Sequence, residues 1–397
     1  MKKYRSLSVV LCLSMLLSVL ALPARAWDGG SGGNLSELAS DDKIHYINVD
    51  TEHNSDCILV ESNGLYLLVD TSNPDLSTGG AQAVANDGAT VNEVIRYLNS
   101  IGVTSLDYVV LTHSHSDHIG GVVRLCEEGF VNSATTVYYR TNASTIEDVI
   151  YPYWENNLYL RRGIDAMNGA GAQLICLAEE NITELTIQLG DFSIEFLNLD
   201  NDRDGVVDFD YGNENNNSIV LLVTKGSVDT LLAADIEAEP ERELAQQLGP
   251  VEVLKVPHHG NRTSSSYEFM QAVQPETAVV TSDGYWQYGA YEYMSNLGGR
   301  VYTTGNSTGP AIVQVVMDGS YEMVNGVPYE TSPGEGWHNW LNYYYYAENG
   351  QLIRNDWKQL DGDWYYFNED GIMQTGEVTV DGTIYHFQES GELLDER

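Results

Sequence analysis

"VVLTHSHSDHIGG", residues 109–121, is the stretch whose reading decides the rest. An apolar run typical of a buried strand ends at Leu111, and His113, His115, Asp117 and His118 follow within six positions. In an extended segment residues i and i+2 point the same way, so His113, His115 and Asp117 are expected to line one side, with His118 turned to a neighbouring position. Imidazole and carboxylate suit zinc at about 2.0–2.2 Å. Four such groups exceed what one ion needs from the protein, so the spacing predicts two adjacent divalent ions, most simply zinc, although manganese and iron accept the same donors.

Working outward, the chain supplies further donors at strand ends. "TLLAADIE" ends an apolar run in Asp235, and "VLKVPHHGN" ends another in His258 and His259. A carboxylate so placed can bridge two cations, and a histidine can complete the second ion's set of ligands. Which of the two histidines does so stays open here. Two ions about 3.5–4 Å apart would activate a water as a hydrolytic nucleophile, with Asp117 or Asp235 as the catalytic proton acceptor. No Ser or Cys nucleophile is required.

The N-terminus reads as targeting rather than fold. "MKKYR", an apolar stretch and the small residues Ala24–Ala26 form a signal-peptide pattern over residues 1–26, followed by a linker over 27–42. No later segment approaches the roughly 20 apolar residues of a membrane span, so no integral membrane segment is expected after cleavage. Removing Lys2, Lys3, Arg5 and Arg25 from the 19 basic residues leaves 15 against 58 acidic ones, a formal charge of −43. Such a surface repels polyanions, so no nucleic-acid partner is expected. Cys57, Cys126 and Cys176 are an odd set in a long chain, which excludes a disulfide framework but leaves one bridge open.

Residues 43–330 form the expected main domain. Strand-like text recurs at "KIHYINVD", "DCILVESNGLYLLVDTS", "TTVYYR", "LTIQL", "FSIEFLNL", "SIVLLVT", "VDTLLAAD", "VEVLKV" and "TAVVTS". Helical periodicity marks 90–101, and helical text lies at 145–168 and 237–248. The expected class is α/β, two sheets flanked by helices. Aromatic text at Tyr285 and Trp286 follows the last of these strands and offers faces for a cationic head group. In "DNDRDGVVDFD", Asp200, Asp202, Asp204 and Asp208 fall at calcium-loop positions 1, 3, 5 and 9, but Tyr211 stands where a bidentate Glu is usual. A weak calcium site and a solvated acidic loop are both open.

After residue 331 the text becomes rich in Trp, Tyr and Gly. Turn glycines Gly350, Gly371 and Gly391 are spaced 21 and 20 apart, a stacked array of hairpins over 335–397. The pattern "DGDWYYFNEDGIMQTG" resembles the choline-binding, or cell-wall-binding, repeats of secreted Gram-positive proteins. The resemblance implies aromatic cages for a quaternary ammonium, with Trp357, Trp364, Tyr366 and Tyr385 as candidates. The third repeat departs from it, with Glu377 where a Trp is usual. A purely structural tail is the alternative.

The H-x-H-x-D-H run with its strand-end Asp and His resembles the metallo-β-lactamase superfamily, which implies an αββα four-layer sandwich. The resemblance implies that His113 and His115 hold one metal, Asp117 and His118 the other, and that Asp235 bridges them. It makes His259 the first choice for the last ligand, keeps His258 as ligand or substrate contact, and places Asp56 and Asp70 beside the metals, with Asp70 orienting ligand histidines. One departure matters: no histidine lies between His118 and His258, and Asn217 and Ser218 occupy that neighbourhood instead. Within the superfamily the text looks most like the phosphorylcholine esterases that trim teichoic acids. That resemblance implies a secreted, wall-associated phosphodiesterase whose partner is choline-bearing teichoic or lipoteichoic acid. A hydrolase of another substrate (nucleic acid, cyclic nucleotide or lactone) and a non-catalytic wall-binding protein are the alternatives.

Overall fold

In the computed structural model the described residues are 40–49, 55–73, 90–140, 154–210, 212–282, 290, 293–294, 299–328, 335–340, 343–369 and 371–396. The signal-peptide pattern, most of the linker, Tyr285 and Trp286 lie outside them. Strands β1 (Lys43–Ile47), β2 (Ile58–Ser62), β3 (Leu65–Val69), β4 (Tyr108–Leu111), β5 (Thr136–Tyr139) and β6 (Gln173–Cys176) build the first sheet with β14 (Ala311–Met317) and β15 (Ser320–Val324). The order is β15-β14-β1-β2-β3-β4-β5-β6. A second sheet runs β13 (Arg300–Thr303), β12 (Thr277–Val280), β11 (Val253–Lys255), β10 (Val228–Leu232), β9 (Val220–Lys225), β8 (Phe192–Leu197), β7 (Leu185–Leu189).

Alternation explains the layering. Ile58 and Val60 of β2 and Leu67 and Val69 of β3 face Phe192, Ile194, Leu221 and Val223 of the second sheet. Leu59 and Leu68, on the opposite face, meet Val91, Val94 and Leu98 of helix α1 (Thr90–Ser100). Helices α2 (Ser116–Ile119), α3 (Val122–Glu127) and α4 (Trp154–Ala170) follow in chain order, and Val122 and Leu160 join the same layer. Beyond the second sheet, Leu231, Leu254 and Ala278 pack on Leu244 of α5 (Ala238–Leu244) and on Phe269 and Met270 of α6 (Tyr267–Val273). Each fully buried side chain of this kind contributes about 1.5–3 kcal/mol. The result is the helix–sheet–sheet–helix sandwich expected from the sequence. Strands β6, β13, β14 and β15 and helices α2, α3 and α6 were not read from the sequence, most of them being short and flanked by turn residues.

The parallel strands β3-β4-β5-β6 and β10-β11-β12-β13 carry the chemistry. Their carboxyl ends are where backbone leaves each sheet and side chains can converge.

The tail is a run of hairpins, β16 (Gly336–Trp340) with β17 (Tyr343–Glu348) and the short β18 (Gln351–Leu352), β19 (Asp356–Leu360) with β20 (Asp363–Phe367), and β21 (Gly376–Val380) with β22 (Thr383–Phe387) and β23 (Leu393–Glu396). The first hairpin docks on the main domain. Tyr345 and Ile372 are buried in the cluster that holds Tyr267 and Met270, and the Tyr343 hydroxyl donates to Glu268 at 2.8 Å.

Candidate metal centre

His113 stands just past β4, and there the chain departs from the extended course that its spacing predicts. His115 is the N-cap of α2, and the amides of His118 and Ile119 both donate to its carbonyl, at 3.1 and 3.0 Å. Asp117 therefore joins His118 from a helical turn and not from the extended segment that was expected. This corrects the i, i+2 expectation for Asp117. The cause is a close backbone approach: Gly121 donates to Ser72 O at 3.1 Å, and a Cβ there would lie 2.0 Å from Thr71 O. Only glycine permits the chain to curl back at that point.

Asp117, His118, Asp235 and His259 bring one donor atom each within 4.8 Å of one another. His118 Nε2 lies 3.2 Å from Asp235 Oδ2 and 3.8 Å from Asp117 Oδ2. His259 Nε2 lies 3.4 Å from each of the same two oxygens. The far nitrogens are engaged: His118 Nδ1 meets Asp70 Oδ2 at 2.7 Å, and His259 Nδ1 meets Thr281 O at 3.1 Å. A proton on each Nδ1 leaves a lone pair on each Nε2. Both Nε2 atoms are buried and without a hydrogen bond. Lone pairs facing carboxylate oxygens in a dry pocket repel unless a cation sits between them. The donor set therefore fits a divalent ion.

His113 and His115 sit alongside. His113 Nε2 is 3.0 Å from His115 Nδ1, and the rings of His113 and His118 are 4.1 Å apart. His113 Nδ1 lies 3.1 Å from Thr112 Oγ1 and 3.3 Å from Ser218 Oγ. Ser218 thus stands beside the histidine pair, in the neighbourhood where the extra histidine is missing. Asn217 reaches the site at one remove: it donates to Glu214 Oε2 at 3.0 Å, and Glu214 Oε1 accepts from the Ser114 amide and hydroxyl.

The two adjacent histidines differ. Both adopt left-handed backbone, φ 49° at His258 and 52° at His259. His259 is buried, whereas the His258 side chain is 19% exposed and its Nε2 stands 3.9 Å from Asp235. His258 is held at the rim by Thr263 Oγ1 at 3.0 Å and by Glu237 Oε1 at 3.3 Å. Geometry thus sets His259 among the converging donors and His258 at the mouth.

Electrostatics follows the geometry. Burial, with His118 and His115 nearby, pushes His113 well below the usual imidazole range. Burial works against charge on His118 and His259 too, but Asp235 with Asp70 in one case, and with Asp56 in the other, holds both well above it. The same carboxylates that favour a metal ion at Nε2 therefore favour a proton there when no ion is bound. Burial alone would raise Asp235, yet His118 and His259 draw it well below the carboxylate range. Glu237, although half-buried, is lowered to about 2 by hydrogen bonds from His258, Asn215 and Asn213.

Three contributors escaped the sequence reading. Lys255 is fully buried, with its ammonium against Asp56 Oδ2, 2.8 Å from Ala234 O and 3.7 Å from Asp235 Oδ1. Its signal was a charge inside an apolar strand three residues before the histidine pair. Thr281 bridges Asp56 and His259, and Glu237 holds His258. Asp70, at φ 58°, also accepts from the Thr112 amide and hydroxyl, so it orients both strand end and ligand.

Residues 50–282 match the Metallo-beta-lactamase superfamily. The chain belongs to that superfamily. Its members are typically metal-dependent hydrolases. Residues 355–397 match the Choline-binding repeat. Recombination protein 2 of Haemophilus influenzae is 26% identical over 242 residues, 60% of this chain and 24% of that protein. ComE operon protein 3 of Bacillus subtilis is 26% identical over 195 residues, 48% of this chain and 21% of the other. The chain thus spans about a quarter of the length of these relatives. Among solved structures, the metallo-beta-lactamase fold protein YhfI of Bacillus subtilis aligns with TM-score 0.37 at 14% identity, covering 60% of this chain and 86% of that one. The choline-binding domain of Spr1274 from Streptococcus pneumoniae is 32% identical, with TM-score 0.15, and covers 16% of this chain and 97% of that one. A metallo-beta-lactamase-superfamily domain followed by choline-binding repeats is the architecture that fits the resemblance to phosphorylcholine esterases.

In the repeats, Trp357 lies 5.1 Å from Tyr366 and 4.7 Å from Tyr385, ring centre to ring centre. Trp364 is 44% exposed and stands outside that trio. A second trio went unread in the sequence: Trp337 with Tyr346 at 5.4 Å and Tyr365 at 5.1 Å. Each of its members lies 20 positions before its counterpart, so the sequence period was the available signal. In the acidic loop, donor atoms of Asp200, Asp202 and Asp208 lie within 4.8 Å of one another, while Asp204 turns aside to accept from the Val206 amide. The calcium-loop expectation loses its third position there, because Asp204 closes the turn instead. Cys57, Cys126 and Cys176 are free thiols. Among the described residues no helix is long and apolar enough to cross a membrane.

Proposed function

We propose that the protein is a secreted, wall-associated phosphodiesterase that releases phosphorylcholine from teichoic or lipoteichoic acid. The observation that carries this reading is one chain joining two facing histidine lone pairs and carboxylates to a repeat of aromatic trios. Divalent ions, most simply two zincs, would supply an acidified water and neutralise charge on the phosphoryl group. Asp117, His118, Asp235 and His259 would hold one ion, and His113 and His115, with Asp235 shared, the other. Asp70 and Thr281 keep the proton on Nδ1 of His118 and His259, so each offers Nε2 inward. Asp56 backs His259. Asp117, partly exposed, or Asp235 would take the proton released as the nucleophile attacks. His258 stands at the mouth, where a substrate oxygen or leaving group arrives, with Glu237 behind it. His113, His118, Asp235 and His259 are buried from bulk water, while His115 and Asp117 are partly exposed.

Tyr285 and Trp286 are assigned to the choline head group, since aromatic faces attract a trimethylammonium by cation–π contact. Trp357, Tyr366 and Tyr385, with Trp364 beside them, would anchor the enzyme to choline on the wall polymer. Asp200, Asp202 and Asp208, without Asp204, are assigned to weak calcium binding.

A second reading has a specific observation behind it. One relative is named Recombination protein 2, and another, from Neisseria gonorrhoeae and 29% identical over 225 residues, is named Competence protein ComA, which favours nucleic acid as substrate. The formal charge of −39 on the whole chain argues the other way. Hydrolysis of p-nitrophenyl phosphorylcholine, bis-p-nitrophenyl phosphate and single-stranded DNA, each with and without chelator, separates the two. Chelator-sensitive release from the choline ester is expected. Cleavage of DNA alone would overturn the choline assignment.

A further inference from the structure

Lys255 has no part in the donor set, yet the fold goes to some length to bury it there. Its side chain is fully enclosed at the end of β11, facing three oxygens: Asp56 Oδ2 in direct contact, Ala234 O at 2.8 Å and Asp235 Oδ1 at 3.7 Å. An ammonium has three N–H donors and no acceptor, so three oxygens match its capacity. A buried charge is costly unless paired, and a lysine without a task would not survive in an otherwise apolar strand.

Each of the three oxygens belongs to a group that aims the centre. Ala234 directly precedes Asp235 and has left-handed backbone, φ 45°, which a β-carbon disfavours. Its carbonyl is caught from two sides, by Lys255 Nζ and by the His258 amide at 2.9 Å. The turn that points Asp235 into the pocket is therefore pinned by Lys255. Asp56 in turn accepts from Thr281 Oγ1 at 2.5 Å and lies 3.4 Å from His259 Nδ1. Asp235 itself has its two oxygens divided: Oδ2 faces His118 and His259, and Oδ1 faces the ammonium, without a hydrogen bond.

We propose that Lys255 is a positioning residue of the metal centre. It holds the Ala234 turn and Asp56 in place, and its fixed positive charge keeps Asp235 Oδ2, rather than Oδ1, turned to the ions. It also offsets part of the negative charge that Asp56, Asp70, Asp117 and Asp235 bring to this pocket. This inference rests on the reading of the site as a metal centre, and not on the choline substrate.

The test is zinc affinity of the full chain, measured by competition with a chelator, together with bound zinc per chain by mass spectrometry. Lys255→Met keeps the length of the side chain and removes the charge. A folded K255M, judged by a cooperative thermal transition, is expected to bind zinc about 10- to 100-fold more weakly than the wild type. Unchanged affinity with two ions per chain in folded K255M would show that Lys255 only fills space, and overturns the proposal. Should K255M not fold, the double variant D56N/K255M removes the buried pair together. The same loss of affinity is expected of it, beyond that of D56N alone. Affinity in the double variant equal to that of D56N overturns the proposal, and so does failure of both variants to fold, which would make Lys255 a requirement of the fold. A wild-type chain that takes up no zinc overturns both this inference and the reading of the site. A wrong substrate leaves the measurement untouched.

Discussion

The metal centre and the repeat tail are built on opposite plans. In the centre, His118, Asp235 and His259 come from three separate strand ends and meet in a buried pocket, where hydrogen bonds to Asp70 and Thr281 fix each ring. In the tail, each aromatic trio is assembled from one hairpin and its neighbour, 20 residues on, and stays partly open to solvent. Convergence over long distances gives rigid chemistry that one substitution can destroy. Local repetition gives a graded surface whose units fail one at a time.

The sharpest way to break this contrast is Asp235→Asn. Hydrolysis of p-nitrophenyl phosphorylcholine is expected to fall by about 10³-fold, roughly 4 kcal/mol of barrier, with retention on a choline resin unchanged. Steady-state kinetics and resin elution with free choline measure the two arms. A parallel loss of both would show that the regions are not independent. Next in size, Asp70→Asn should weaken zinc binding by about 10- to 100-fold, read by chelator competition, because His118 loses the acceptor that fixes its tautomer.

From the other side, Trp357→Ala removes the ring shared by Tyr366 and Tyr385. The free choline needed to elute the chain should drop by about 5- to 30-fold, matching roughly 1–2 kcal/mol for a cation–π face, while hydrolysis of the soluble ester stays as it was. A further effect concerns pH. Glu241 is buried and accepts from the amides of Ser265 and Ser266, in the loop after His259. Burial pushes its carboxyl from 4.5 up to about 7. Because the folded value is the higher one, its stabilising contribution is complete below pH 4.5 and is lost as pH rises through about 7. Thermal midpoints between pH 5 and 8 should decline in the wild type and flatten in E241Q. An identical slope in both would assign the decline to other groups.

The difference in plan also governs what the sequence discloses. The strands were legible because β2, β3 and β9 bury both faces and read as apolar runs. The donor motif was legible because three histidines within six residues have no common structural purpose. Asp117 was misplaced in direction because a glycine approach at Gly121, visible only in three dimensions, curls the chain. Lys255, Thr281 and Glu237 stayed hidden for a related reason: their partners are distant, Thr281 meeting Asp56 across 225 residues. Trp337, Tyr346 and Tyr365 were within reach through the period, and were passed over because the first repeat lacks the consensus wording of the second.

The seating of Tyr343 and Tyr345 against α6 has a practical bearing on how such chains recombine. The last hairpin can be exchanged as a cassette, but the innermost one, together with Ile372 beyond it, belongs structurally to the hydrolase it touches. A chimera with a foreign anchor should be spliced beyond that point, because a junction at the compositional shift near residue 331 would strip bare the apolar patch around Tyr267 and Met270.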